Sequence, residues 1–162
     1  MNREFRVGLG YDVHALESGL NLIIGGIHIK YTKGSKGHSD GDALIHSIVD
    51  AILGGACLGD IGKYFPSHNE KWKNASSDIF LKAALKKVRE KGYEINNIDS
   101  NIIIQEPKIS NYKPEIRKNL SNIIGINEDR ISIKAKTEDY LGYIGNSSGW
   151  ACQSVVTLIK NE

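Results

Sequence analysis

The chain has 162 residues, 21 basic and 19 acidic side chains, and 40% hydrophobic residues. This length fits one domain over residues 1–162, and the ordinary charged fraction excludes a disordered chain. No apolar run reaches the roughly 18 residues of a membrane span, and the near balance of charge argues against nucleic-acid binding. The start of the chain has no signal-peptide pattern, and Cys57 and Cys152 belong to no paired motif. We therefore expect a cytoplasmic protein, or one trimmed of its targeting segment, with buried free thiols.

The first half of the chain predicts strands and one helix. Strands are expected over residues 5–9, 22–24 and 27–29, and the last two flank Gly25 and Gly26 as in a hairpin with a primed turn. Residues 33–37 are predicted to form a loop. A helix is then expected to run from residue 42 to about 53, with Ser39 or Asp40 as a cap.

The second half mixes helices and strands. A long loop is predicted over residues 59–74, and a second helix is expected between caps at 76–78 and a stop at Gly92. Pro114 and Gly125 bound a third helix. Buried or paired strands are predicted over three further segments, residues 102–104, 131–136 and 151–159. Without regular βαβ alternation, this order favours an α+β (layered α/β) fold, with a mixed sheet and about three helices on one side.

Three residues in two segments suggest a metal site. In an extended Asp12-Val13-His14 segment, the first and third side chains point to the same side. His46 lies on the first predicted helix, with Asp42 and Asp50 one turn away on either side, where their carboxylates could orient its ring. Together Asp12, His14 and His46 would offer zinc three ligands and leave a fourth position open, as in catalytic zinc sites.

Two more segments have the composition of binding loops. His38 and Ser39 stand just before the first predicted helix, where free N–H groups favour an anion. Residues 136–139 end a predicted strand with a hydroxyl and two carboxylates. These groups suit a hard cation such as Mg²⁺ that bridges phosphates.

Four motifs give the chain a specific resemblance. They are DVH at 12–14, GHSDGDALIHSIVDAILGGACLGDIGKYFP at 37–66, QEPK at 105–108 and KAKTEDYLGYIG at 134–145. In order and spacing they resemble the 2-C-methyl-D-erythritol 2,4-cyclodiphosphate synthase family of the non-mevalonate isoprenoid pathway. The resemblance extends from about Arg6 to Lys160.

The resemblance implies a homotrimer with active sites between subunits, a cytidine diphosphate-linked small-molecule substrate, and neither a nucleic-acid nor a membrane partner. It implies a CMP-releasing, cyclising phosphorus–oxygen lyase. Asp12, His14 and His46 would bind Zn²⁺, and Asp139, with Glu138 as the alternative, would bind a second divalent cation, Mg²⁺ or Mn²⁺. His38 and Thr137 match the positions that stabilise the transition state.

By the same resemblance, further residues would contact the substrate. Around the metal and the erythritol these are Asp12, Val13, His14, His38, Ser39, Asp60, Ile61, Gly62, Phe65, Pro66, Ser67, His68 and Asn69. On the cytidine and phosphate side they are Ile104, Gln105, Glu106, Pro107, Lys108, Ile109, Ser110, Lys136, Thr137, Glu138, Asp139, Tyr143 and Asn146. Several positions differ from the family pattern: Lys136 stands for a common Thr, Ser67 and Asn69 for common aspartates, Asn146 for a common Arg and Ser148 for a common Glu.

Two other functions fit the same residues. An open Asp/His/His site could activate water in a zinc hydrolase. Against this reading, the sequence offers no obvious general base beside the metal ligands, with Asp60 as the one remaining candidate. Alternatively, a metal at this site could only stabilise contacts between subunits of a non-catalytic oligomer. The open fourth position and the carboxylates of Glu138 and Asp139 argue against the latter.

Overall fold

The computed structural model describes residues 3–161, which form a mixed sheet with helices on one side. The strands are β1 (Arg3–Ser18), β2 (Leu22–Ile24), β3 (Ile27–Ile29), β4 (Lys33–Lys36), β5 (Glu94–Ile103), β6 (Ile131–Lys136) and β7 (Gly149–Asn161). The helices are α1 (Ala43–Gly55), α2 (Ile61–Tyr64), α3 (Asp78–Glu90), α4 (Lys113–Ile124) and α5 (Gly142–Gly145). Short 3-10 turns cover Glu70–Trp72 and Glu128–Arg130.

The main sheet has the order β4-β1-β7-β5-β6, with β5 and β6 parallel and the other neighbours antiparallel. Helix α1 packs on β1, β7 and β5, α3 packs on α1, and α4 packs on α3 and β6. This arrangement confirms the α+β prediction and the placement of the longer helices on one side. No helix within residues 3–161 is long and apolar enough to cross a bilayer.

Strand β1 gives the two faces of the sheet different surroundings. Its even-numbered residues, Gly8 and Gly10 among them, face the helices, whereas its odd-numbered residues face away. The outward side chains of Phe5, Val7 and Leu9 are 59%, 67% and 61% exposed. An apolar stripe of this size on an uncovered sheet face is typical of a surface that contacts another chain.

Helix α1 lies on β1 with its backbone in direct contact, because two glycines leave room for it. A Cβ built on Gly8 would lie 1.8 Å from the carbonyl oxygen of Ala51, and one on Gly10 would lie 1.9 Å from that of Ser47. Any side chain at these positions would hold α1 away from the sheet. The two glycines therefore set how closely α1 approaches β1.

Asp42 caps α1 and joins it to the β2–β3 hairpin, so the expected caps at Ser39 and Asp40 are wrong. Its carboxylate accepts hydrogen bonds from the backbone N–H groups of Ile45, Gly25 and Gly26 at 3.0, 3.0 and 2.7 Å. The hairpin itself is confirmed, and both turn glycines have positive φ, 61° and 77°. Asp42 is the cap because its carboxylate can accept hydrogen bonds from the first turn of α1 and from the hairpin turn at the same time.

Burial raises the pKa of Asp42 to about 6, which predicts a pH-dependent stability. In the folded chain the carboxyl holds its proton more tightly than in the unfolded chain. The associated stabilisation is therefore complete below about pH 4 and is lost as the pH rises through 6, with a total of about 3 kcal/mol. Denaturant unfolding of the wild type and Asp42→Asn between pH 4 and 7 measures this. The wild type's advantage over the variant shrinks with rising pH, and a difference that does not vary with pH contradicts the assignment.

Several predicted element bounds were wrong. Residues 33–36 form an edge strand, β4, rather than a loop, since their backbone pairs with the end of β1. Strands β1 and β5 are longer than predicted because polar residues continue the pairing on both sides of β7. The predicted loop over 59–74 contains α2 and a 3-10 turn.

The helix ends at Pro114 and Gly125 are confirmed, with Gly125 left-handed at φ 80°. Cys152 is buried as expected, but Cys57 is exposed in the turn after α1.

Candidate metal centre and active site

The triad predicted from the sequence comes together where α1 crosses β1. Asp12 and His14 lie on the helix-facing side of β1, which continues as one extended strand through both residues. His46 projects from the first turns of α1 toward them and is 9% exposed. The close approach of α1 over Gly10 thus places the third side chain beside the first two.

The three side chains present their donor atoms to a common point. Asp12 Oδ2 lies 3.0 Å from His14 Nε2 and 2.9 Å from His46 Nδ1, and the two imidazole nitrogens are 3.3 Å apart. One carboxylate oxygen and two imidazole nitrogens are a donor set that divalent transition metals accept, zinc in particular. The cluster therefore fits a divalent metal site.

The electrostatic interactions within this cluster stabilise the charged form of Asp12 and that of His14. Burial raises the pKa of Asp12, but hydrogen bonds from His14 and His46 outweigh it and lower the pKa to about 2. Burial lowers the pKa of His14, and the neighbouring Asp12 carboxylate outweighs it, so that this pKa is raised. The carboxylate is thus ionised across the neutral pH range, as a metal ligand must be.

In both histidines, the ring nitrogen that faces away from the common point has a hydrogen-bond partner. His14 Nδ1 lies 3.0 Å from the carbonyl oxygen of Lys36, and His46 Nε2 lies 2.8 Å from Ser77 Oγ and 3.2 Å from Ser39 Oγ. The expectation that Asp42 and Asp50 orient His46 is wrong. Asp42 caps α1, and Asp50 accepts a hydrogen bond from the Ile61 backbone N–H at 2.7 Å.

A cavity of about 260 Å³ opens beside the triad. Its lining consists of His14, His38, Ser39, His46, Ile61, Gly62, Phe65, Ser67, Trp72 and Phe80. Phe65, Trp72 and Phe80 pack against one another with ring centroids 4.6 to 5.7 Å apart. Sequence reasoning missed Trp72 and Phe80. Trp72 follows the FP motif within the predicted long loop, whereas Phe80 lies on α3, where its apolar side chain was indistinguishable from a core residue.

The remaining residues expected on this side hold the loop around the cavity. His38 Nε2 lies 3.0 Å from the carbonyl oxygen of Asn69. Asp60 caps α2 by accepting from the Lys63 N–H at 2.9 Å. Pro66 and His68 belong to the same loop but do not line the cavity.

The residues expected on the cytidine side form a separate region of the chain. Two adjoining cavities of about 570 and 110 Å³ lie between the end of β6 and the segment after β5. Their linings together contain Ile104, Gln105, Glu106, Pro107, Lys108, Ile109, Ser110, Lys136, Thr137 and Asp139, with Tyr31, Ala135 and Tyr140. Neither shares a lining residue with the cavity at the triad.

Four expected substrate contacts lie elsewhere. Val13 is 44% exposed on the uncovered face of the sheet, opposite Asp12 and His14. Glu138 and Tyr143 line another cavity, of about 330 Å³, with Tyr11. The Tyr11 and Tyr143 hydroxyl oxygens are 3.0 Å apart. Asn146 accepts a hydrogen bond from the Ser148 N–H at 2.9 Å.

Fold and site together define a one-domain α+β protein with a candidate divalent-metal centre beside an aromatic-lined cavity. The family model described as "YgbB family" matches residues 5–159. The chain belongs to this family. The resemblance to the cyclodiphosphate synthases is thereby confirmed over nearly the whole chain.

Relatives and solved structures agree on this membership. The chain is 51% identical to a Clostridium acetobutylicum protein named 2-C-methyl-D-erythritol 2,4-cyclodiphosphate synthase, over 95% of this chain and 99% of that one. It matches the IspF (Plasmodium falciparum) CDP complex with a TM-score of 0.87 and 40% identity, over 99% and 100% of the two chains. It also matches the bifunctional IspDF from Campylobacter jejuni with a TM-score of 0.95 and 43% identity, over 99% of this chain but only 44% of that one.

Proposed function

We propose that this chain converts 4-diphosphocytidyl-2-C-methyl-D-erythritol 2-phosphate to 2-C-methyl-D-erythritol 2,4-cyclodiphosphate and CMP, as a lyase of isoprenoid precursor biosynthesis. The observation that carries the proposal is the convergence of Asp12, His14 and His46 beside a cavity in a member of this family. An oxygen of the 2-phosphate forms a bond to the β-phosphorus. The bond from that phosphorus to the oxygen shared with the α-phosphate breaks, and CMP leaves with that oxygen.

Asp12, His14 and His46 would hold zinc, which matches their donor set. The bound metals would neutralise phosphate charge and align the reacting groups, so that no protein nucleophile is needed. A second divalent cation, Mg²⁺ or Mn²⁺, would take a carboxylate from residues 138–139. Asp139 is favoured over Glu138, because Asp139 lines the same cavity as Thr137, whereas Glu138 lines the cavity with Tyr11.

The protein side chains would bind and orient the substrate. His38 and Ser39 border the cavity at the triad, where an imidazole and a hydroxyl can donate to phosphate oxygens. The loop from Asp60 to Asn69 would surround the erythritol. Residues 104–110 would enclose the cytidine, with Lys136 and Thr137 beside its phosphates.

The two groups of residues line different cavities of one chain, which supports active sites shared between subunits of a homotrimer. The metal half would come from one subunit and the cytidine half from its neighbour. The apolar stripe of Phe5, Val7 and Leu9 continues along the uncovered sheet face with Tyr11 and Val13. This is the surface that such an assembly would bury. A cytoplasmic location fits the two free thiols.

Leu9→Lys is expected to dissociate the trimer and to abolish turnover, because it places a charge in the middle of this stripe. Native mass spectrometry reports the subunit number, and CMP release reports the activity. Ile79→Lys is the matched control, since Ile79 is also an exposed apolar residue, at 47%, but lies on α3. If Leu9→Lys remains fully trimeric, the sheet face is not the interface.

The proposed function is tested by CMP release from the cytidylyl substrate with Mg²⁺, before and after zinc is removed with a chelator. We expect turnover that is lost with the metal and returns when zinc is added back. Turnover that survives complete metal removal overturns the proposal. The absence of turnover by the zinc-loaded trimer also overturns it.

A further inference from the structure

The two ring nitrogens of His46 have different partners. Its Nδ1 faces Asp12 Oδ2 at 2.9 Å and His14 Nε2 at 3.3 Å. Its Nε2 faces away from them, toward Ser77 Oγ at 2.8 Å. A neutral imidazole that gives Nδ1 to a metal carries its proton on Nε2, and that proton then needs an acceptor.

Ser77 is placed to be that acceptor. It is fully buried at the start of α3, with 0% exposure, and it makes no capping bond to its own helix. Its hydroxyl is hydrogen-bonded to Asp40 Oδ1, and its backbone N–H donates to Asp40 Oδ2 at 2.8 Å. Because the hydroxyl gives its one proton to the carboxylate, its lone pair remains for the proton on His46 Nε2.

We propose that Asp40 and Ser77 act as positioning residues for the metal centre, in a chain of hydrogen bonds from the Asp40 carboxylate through the Ser77 hydroxyl to His46. This inference rests on the proposed zinc site. The relay fixes the tautomer of His46, holds its ring at the angle at which Nδ1 meets Asp12 and His14, and makes that nitrogen a better donor. It has the role that helical spacing suggested for the carboxylates of Asp42 and Asp50, which instead form hydrogen bonds with other residues.

Ser39 is the competing acceptor for the same proton. Its hydroxyl is 3.2 Å from His46 Nε2, farther than that of Ser77, and it lines the cavity. With Ser77 as the acceptor, the Ser39 hydroxyl remains available to a ligand in the cavity. The relay thus separates the orientation of the metal ligand from substrate contact.

The relay also connects the metal site to the two segments that surround it. The backbone N–H of Asp40 donates to Ala75 at 3.1 Å, and the side chain of Asp40 accepts from the Asp42 N–H at 3.3 Å. One carboxylate therefore joins the segment before α1 to the start of α3. The side chain of His46, which projects from α1, is thus held at Nε2 by the start of α3 and at Nδ1 by Asp12 on β1.

The test is the zinc affinity of the metal-stripped full-length protein, measured by competition with a chromophoric chelator. We expect Ser77→Ala to weaken zinc binding about 10- to 100-fold, and Asp40→Asn to weaken it in the same direction. Ser77→Thr retains a hydroxyl and should keep most of the affinity. The matched control is Ser100→Ala, which removes another fully buried hydroxyl, bonded to Ser154 at 2.8 Å and outside the metal site.

Every outcome of this experiment either supports or overturns the relay through Asp40 and Ser77. Thermal unfolding of the metal-free variants identifies any that fail to fold, and Asp40→Asn, at a half-buried position, then provides the affinity measurement. If the wild type binds zinc through His46 and Ser77→Ala binds it as tightly as Ser100→Ala does, the relay is overturned while the proposed metal site stands. If the folded wild type binds no zinc, both are overturned.

Discussion

His46→Ala is expected to lose zinc and turnover while the chain stays folded and trimeric. The substitution removes one of three donor atoms that lie within 3.3 Å of one another. Its effect on zinc affinity should exceed the roughly 10- to 100-fold effect of losing a partner behind a ligand. Metal analysis of the purified protein gives the stoichiometry, and native mass spectrometry gives the subunit number.

His28→Ala is the control for this variant. His28 is exposed on β3, and its ring lies 3.3 Å from Asn21 Oδ1, away from the triad. We expect this control to keep full zinc content and turnover. Stoichiometric zinc and full activity in His46→Ala would show that the ligand assignment is wrong.

Gly10→Ala is expected to have the largest effect on stability. The added Cβ would lie 1.9 Å from the Ser47 carbonyl oxygen and 2.8 Å from the Ala51 backbone nitrogen. Neither atom can move unless α1 shifts, so we expect a loss of about 3 kcal/mol or more in the free energy of unfolding. The same shift would move His46 away from Asp12 and His14, so zinc affinity should fall with stability.

The control for Gly10→Ala is Gly54→Ala, which adds the same methyl group on the exposed side of α1. Nothing lies within 4 Å of that position. A glycine replaced by alanine in a helix should raise stability by about 0.4 to 1 kcal/mol. Denaturant unfolding of both variants measures the contrast, and a Gly10→Ala protein as stable as the wild type would contradict the packing account.

Local patterns in the sequence were sufficient to identify the candidate triad and the general fold, although the three side chains converge only because α1 approaches β1 closely. The alternation of residues 12–14 placed two candidate ligands on one side of a strand, and His46 on the first predicted helix was the third candidate. The Gly-Gly hairpin and the proline and glycine at the ends of α4 follow from backbone preferences of those residues. All of these are confirmed by the structure.

Contacts between distant segments could not be predicted in the same way. Helical spacing suggested Asp42 and Asp50 as partners of His46, but Asp42 bonds to Gly25 and Gly26, and Asp50 bonds to Ile61. The actual partner, Ser77, is 31 residues from His46 and looked like an ordinary helix cap. Hydrogen bonds of this kind depend on how α3 packs against α1, which no local pattern specifies.

Two strand glycines have a packing role that the sequence pattern did not indicate. Gly8 and Gly10 within β1 make the closest approaches to a helix backbone. A glycine in a strand marks such an approach only when the facing element is known. The placement of the expected substrate contacts in separate cavities is likewise a property of the folded chain that sequence order does not reveal.

The product of the reaction tests the central claim most directly. Phosphorus NMR of the zinc-loaded protein with the cytidylyl substrate and Mg²⁺ should show CMP together with an eight-membered cyclic diphosphate. A zinc hydrolase would also release CMP but would leave a linear 2,4-bisphosphate. Appearance of the linear product instead of the cyclic one would contradict the proposed cyclisation.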